Sequence, residues 1–181
     1  MPGRIRVLSA GGAGVPRLEG VARTVGAALG LPVSVERVQL DLAAAWDRSR
    51  GQHNSTALLA QVLDLDGAAG ERRIAVVDVD LFIPVLTFVF GEAQLAGPAA
   101  VVSTVRLANP FYGLPRDDAL LESRLAKEVL HELGHTLGLT HCRQFECVMR
   151  SSTYVEEIDL KRAAMCPACA RTLAASPTSP T

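Results

Sequence analysis

The sequence predicts a mixed α/β fold of the α+β kind, with one long helix beneath a sheet and a small cysteine-rich end. Three observations lead there. Segments rich in β-branched residues alternate with segments whose apolar residues recur at helical spacing. One helical pattern, from Asp117 or Asp118 to about Leu137, is long and carries Leu120, Leu121, Leu125, Val129 and Leu130. All four cysteines, Cys142, Cys147, Cys166 and Cys169, come after it.

Along the chain, residues 4–10 (RIRVLSA) alternate as a strand does. From Val15 to Gly30 the apolar residues Leu18, Val21, Ala22, Val25, Ala28 and Leu29 keep helical spacing, and Gly30 with Pro32 supplies the stop. Residues 33–40 (VSVERVQL) read as a second strand. Asn54 is placed to cap a helix over 56–66. RRIAVVDVDLF (72–82) reads as one mostly buried strand. LTFVFGEAQLA (86–96) and AAVVSTVRL (99–107) read as two more, joined by a Gly97-Pro98 turn. The stretch from Ala108 to Arg116 is a loop. The long helix then runs to Gly138, and a last helix is expected from about Glu156 to Ala174. The expected organisation is a sheet-and-helix lobe over 1–138, a cysteine-rich lobe over 139–175, and a disordered tail over 176–181 (SPTSPT).

Composition narrows the function. The chain has 181 residues, 49% of them hydrophobic, so a sizeable core can be buried. The formal net charge is −1 and no basic stripe is visible, which argues against a nucleic-acid partner. No apolar run approaches the roughly 18 residues of a spanning helix, and the N-terminus lacks a signal-peptide core. The expectation is a cytoplasmic, monomeric protein with no membrane partner.

The chemistry concentrates in HELGHTLGLTHC, residues 131–142, which hold three of the four histidines. Residues four apart in a helix lie on one face, so His131 and His135 can grip one ion. Gly138 can take a positive φ and turn the chain out of the helix. His141, three residues on, can swing back as a third ligand. That leaves a fourth position open, as in catalytic zinc sites. Glu132 is about 100° around the helix from His131, so it reaches the open position rather than sharing the ion. There it can take a proton from an activated water and pass it to a leaving amine, which is peptide-bond hydrolysis. A lone HExxH is a weak signal, because helices rich in Glu and Leu produce it by chance. The added glycine and third histidine each have a mechanical reason. His53, outside the cluster, reads as a polar residue near a helix start.

The four cysteines suggest a second ion. Neighbours in an extended segment point to opposite sides, so His141 and Cys142 can face different metals. Cys166 and Cys169 form a CPAC pair. Four thiolates with no open position make a structural zinc site. A redox dithiol, two disulfides and four unlinked thiols are the other readings. The first lacks a thioredoxin-like βαβ context, and the second suits a secreted protein. A structural ion here would pin the loop that carries His141.

HELGHTLGLTHCRQFECVM, followed by the distal CPAC, resembles the archaemetzincins, a branch of the metzincin clan of zinc metallopeptidases. The resemblance extends from about Ala75 to Leu173, and the first 70 or so residues are placed only by general pattern. It implies a twisted mixed sheet with an antiparallel edge strand over the cleft, the zinc helix below it and a short C-terminal lobe. It places Met149 in the methionine turn beneath the catalytic zinc, and a substrate strand along part of Glu92 to Val105. Some metzincins carry a tyrosine two residues after that methionine; here Ser151 stands there, and Tyr154 is the nearest tyrosine. The resulting expectation is a zinc metallopeptidase acting on peptides or proteins, with two zinc ions per chain, one catalytic and one structural. The competing expectation is a catalytically silent, zinc-stabilised peptide- or protein-binding module on the same fold. A thiol redox protein is a third.

Overall fold

The structure, a computed structural model, describes residues 3–12 and 15–175. The strands are β1 (Ile5–Ser9), β2 (Val33–Arg37), β3 (Trp46–Asp47), β4 (Gln52–Asn54), β5 (Arg72–Val77), β6 (Leu81–Phe82), β7 (Gly91–Ala93) and β8 (Ala99–Ser103). The α-helices are α1 (Glu19–Leu29), α2 (Ser55–Asp64), α3 (Asp118–Thr136), α4 (Val155–Asp159) and α5 (Pro167–Ala175). The main sheet has the order β2-β1-β5-β8-β7. Its first four strands are mutually parallel, and β7 lies antiparallel to β8 at the edge.

The central strand β5 explains the layers. From Ile74 to Val77 its residues are buried on both faces, as the unbroken apolar run requires. Ile74 and Val76 face a core shared with Val21 and Val25 of α1 and with Leu125, Val129, Leu130 and Leu133 of α3. Ala75 and Val77 face the opposite side, against Leu58, Leu59 and Val62 of α2. The α1–α3 core does not stop at Gly138. It continues through Leu139, Val148, Met149, Val155 and Ile158.

Local chemistry sets the helix ends. Asn54 accepts the N–H of Ala57 at 3.2 Å, as its cap position predicts. Asp117 does the same for Leu120 at 2.9 Å, which starts the long helix. Gly30 and Gly138 adopt φ of 65° and 92° and end α1 and turn the chain out of α3.

Several expectations are corrected. α1 begins at Glu19 rather than Val15; Pro16 disfavours helical backbone at the residue before it. The 72–82 strand is two strands, because Asp78 and Asp80 intervene with polar tasks. Asp78 accepts the N–H of Gly12, and Asp80 accepts from Arg106 and Gln52. β6 then joins β3 and β4 in a second, three-stranded sheet, whose strands of two or three residues are too short to show an alternation. The pairing of 86–96 with 99–107 is real but shorter, with Gly91–Ala93 against Ala100–Val102. The single helix expected over 156–174 is α4 and α5. Pro167 has no N–H and begins α5, and the link between the two helices bonds back to residues 146–148 through Arg162 and Ala164. The 176–181 tail lies outside the described residues. Among them no helix is long and apolar enough to cross a membrane.

Leu125 is fully buried where α3 meets the sheet and lies clear of the histidines. Leu125→Ala is expected to lower the unfolding free energy by about 3 kcal/mol, measured by urea denaturation. Metal content of the folded fraction should be unchanged.

Candidate metal centre

The last turns of α3 carry His131 and His135 side by side, with their Nε2 atoms 3.1 Å apart. Gly138 turns the chain, and His141 returns to stack on His131 with ring centroids 5.3 Å apart. One ligand nitrogen from each of the three lies within 4.8 Å of the others. The far ring nitrogens are already committed. His131 Nδ1 donates to the Val148 carbonyl and His135 Nδ1 to the Leu139 carbonyl, each at 2.8 Å. This fixes the tautomers and leaves both Nε2 lone pairs facing the common point. Burial, followed by the charge of Lys161, holds His131 down to about 3, so its ring is neutral as a ligand must be. Burial likewise lowers His141. The donor set and its hydrogen bonding fit a zinc ion.

Glu132 is buried beside them. Burial first, then the charges of Glu128 and Glu92, raise its carboxyl well above the ordinary range. Its room is made by a glycine. A Cβ on Gly91 of the edge strand would lie 2.8 Å from Glu132 Cγ and Oε1. Gly134 performs the same service below, because a Cβ there would overlap the sulfur of Met149. Met149 is fully buried in a tight turn closed by the Arg150 N–H to the Cys147 carbonyl at 3.0 Å. Sequence reasoning misses both glycines. A glycine inside a helix costs roughly 0.5–1 kcal/mol relative to alanine, and that cost at Gly134 is the available signal of a close contact.

The cysteines meet as one group. Cys142 and Cys166 have their sulfurs 3.7 Å apart, and Cys147 and Cys169 theirs 3.8 Å apart. Zinc–sulfur bonds of about 2.3 Å in a tetrahedron put sulfurs about 3.8 Å apart, so the four fit a zinc ion. A disulfide needs about 2.0 Å, and all four thiols are free. The N–H of Cys169 leads the effects that lower the Cys166 thiol to about 7. Burial raises Cys147 and Cys169. The Cys142 N–H donates to the Met149 carbonyl at 2.9 Å, so the cysteine group and the methionine turn share a backbone.

A cleft opens over the histidines. It is walled by residues 86–93 and Leu95, by Glu128 and Glu132 of α3, and by Ser151, Ser152 and Thr153 after the methionine turn. Tyr154 is 67% exposed and does not line it. His53 stands apart in β4 against Trp46, with ring centroids 4.9 Å apart. The tip of the β7–β8 hairpin docks on the end of α3, with the Ala96 N–H donating to the His135 carbonyl at 2.9 Å.

Residues 21–175 match the pattern of Peptidase family M54. The chain belongs to that family. The match starts well before Ala75, so most of the N-terminal part is family sequence too. An archaemetzincin from Methanocaldococcus jannaschii is 41% identical over 129 residues, 71% of this chain and 70% of that protein. The crystal structure of the archaemetzincin from Methanopyrus kandleri superposes with a TM-score of 0.83 at 34% identity, covering 94% of this chain and 93% of that one. A zinc-dependent peptidase from Methanocorpusculum labreanum gives 0.82 at 29% identity, covering 93% and 99%. The protein is thus a zinc metallopeptidase of the archaemetzincin type, and the silent binding module is set aside.

These contacts generate two predictions. Gly134→Ala should destabilise the protein by about 1–3 kcal/mol, although alanine is the better helix former; a rise in the urea midpoint would show that Met149 does not press on this position. The second concerns the Thr153 wall. Glu157 accepts the N–H groups of Thr153 and Tyr154, which hold its carboxyl below the ordinary 4.5. A depressed folded pKa stabilises fully above the unfolded value and loses that as pH falls through the folded one. Protection of the Thr153 amide from hydrogen exchange should therefore fall on acidification below 4.5 more steeply in the wild type than in Glu157→Gln. Parallel profiles would refute the contact.

Proposed function

We propose that His131, His135 and His141 hold the catalytic zinc of this peptidase, and that Glu132 serves as general base and then general acid. The observation that carries this reading is the convergence of three imidazoles beside a buried carboxylate, with two of the rings locked by backbone carbonyls. When bound, zinc supplies Lewis acidity to the scissile carbonyl and to the attacking water. Glu132 takes the proton of that water, helped by burial that raises its basicity, and gives it to the leaving nitrogen.

The edge strand holds the substrate. Phe90 and Gln94 spend their backbone groups on β8, through the bonds from Ser103 N–H and to the Ala99 carbonyl. In an antiparallel pair alternate residues turn the other way, so the N–H and C=O groups of Gly91 and Ala93 face the free edge. An extended peptide adds there as a further strand. Of the segment Glu92 to Val105, β8 is enclosed between β5 and β7, so the β7 side does this work.

Cys142, Cys147, Cys166 and Cys169 hold a second, structural zinc that closes the lobe of residues 139–175. The sulfur spacings support this. So does the placement of Cys142 next to the ligand His141 and of Cys147 at the start of the methionine turn.

Purified protein should carry two zinc ions per chain by elemental mass spectrometry. One ion with oxidised thiols would remove the structural site. Cys142→Ser should also weaken zinc at the histidines, since His141 loses its anchor. In digests of a mixed peptide library the wild type should cleave, and Glu132→Ala should be slower by about 10²–10⁴-fold. Equal rates would overturn the role of Glu132.

A further inference from the structure

Resting on the peptidase reading, one buried carboxylate in the cleft is left over by the chemistry. Glu128 lies on α3 one turn before Glu132, about 6 Å along the axis. It is 3% exposed, yet it lines the cleft. It pairs with Lys161, whose Nζ lies 3.5 Å from Oε1. Lys161 does not line the cleft. The carboxylate thus stands between a buried ammonium and the cleft.

Two further observations point to a ligand. Ser152 also lines the cleft, and its Oγ is buried without a partner among the described residues. A buried hydroxyl left unpaired is costly, and an incoming donor satisfies it. The charged side chains of the cleft wall besides the histidines are Glu92, Glu128 and Glu132, with no lysine or arginine among the described residues that line it. Glu92 is committed to the hydroxyls of Ser55 and Thr56, and Glu132 to proton transfer. The cleft-lining side of the Glu128–Lys161 pair and the hydroxyl of Ser152 remain.

We propose that Glu128 and Ser152 form a specificity pocket for a basic side chain, lysine or arginine, on the residue that follows the scissile bond. Glu128 lies one turn from Glu132 on the side away from His135, and we place there the residue that bears the leaving nitrogen. An ammonium or guanidinium there gains charge-assisted hydrogen bonds to Glu128 and donates to Ser152 Oγ. A leucine brings no donor to Glu128 and leaves Ser152 Oγ without a partner, and a glutamate meets a like charge.

The test is calorimetric binding of the zinc-loaded protein to small hydroxamates that carry one side chain next to the metal-binding group: arginine, lysine, leucine or glutamate. Turnover is not needed. Arginine and lysine compounds should bind at least about tenfold tighter than leucine, with glutamate weakest. Glu128→Gln should bring the arginine-to-leucine ratio close to unity. Ser152→Ala, which leaves the pair with Lys161 intact, should narrow it and decides the matter if Glu128→Gln does not fold. Equal affinities in the wild type, or a ratio untouched by either variant, overturn the pocket while leaving the peptidase standing. Absence of binding by every hydroxamate would instead overturn the histidine metal centre, and the pocket with it.

Discussion

The hydrogen bond from His131 Nδ1 to the Val148 carbonyl, 2.8 Å long, is the constraint on which the rest of the centre depends. It fixes which nitrogen of His131 faces the other two rings. It also joins the long helix of the sheet to the segment that carries the cysteines. Val148 can present that carbonyl only because the chain turns tightly from Cys147 to Arg150. The turn sits where it does because Met149 packs into the space that Gly134 leaves open on the helix. Helix, turn and cysteine group are therefore one assembly.

The edge strand is placed by the same economy of space. Gly91 lets β7 approach Glu132 more closely than any side chain would allow. The hairpin tip then bonds to the His135 carbonyl at the end of the helix. This requires Ala96 to adopt φ of 55°, an uncommon conformation for a residue with a Cβ. The free edge of β7 and the helix α3 are held at a fixed spacing by one backbone hydrogen bond and one missing methyl group.

Charge binds the segment after Gly138 to the helix from outside the centre. Arg124 pairs with Asp159 at 2.7 Å, and Lys127 donates to the Ile158 and Asp159 carbonyls at the end of α4. Lys161 reaches Glu128 from the same segment. The buried ionic face of α3 is thus matched to the end of one short helix. Cations at a helix C-terminus are favoured by the helix dipole, and most of these groups find a partner within the protein.

The sequence by itself determined the features that spacing along one chain sets. His131 and His135 share a face because a helix repeats every 3.6 residues. Asn54 caps because its side chain reaches the third N–H ahead, whereas the choice of Asp117 over Asp118 as the cap of the long helix came from the structure. Gly138 turns because it lacks a Cβ. The motif through Cys169 identified the family. Contacts between distant segments were not legible, because each depends on two backbones meeting at a chosen separation. Gly91 against Glu132, Gly134 against Met149 and Glu128 between Lys161 and the cleft are of this kind. The break at Asp78–Asp80 and the split of the last helix at Pro167 show the same division. Local propensity proposed continuous elements, and long-range hydrogen bonds to Gly12, Arg106 and residues 146–148 decided where they end. Tertiary structure alone sets those distances, because packing in three dimensions decides which side chains must be absent.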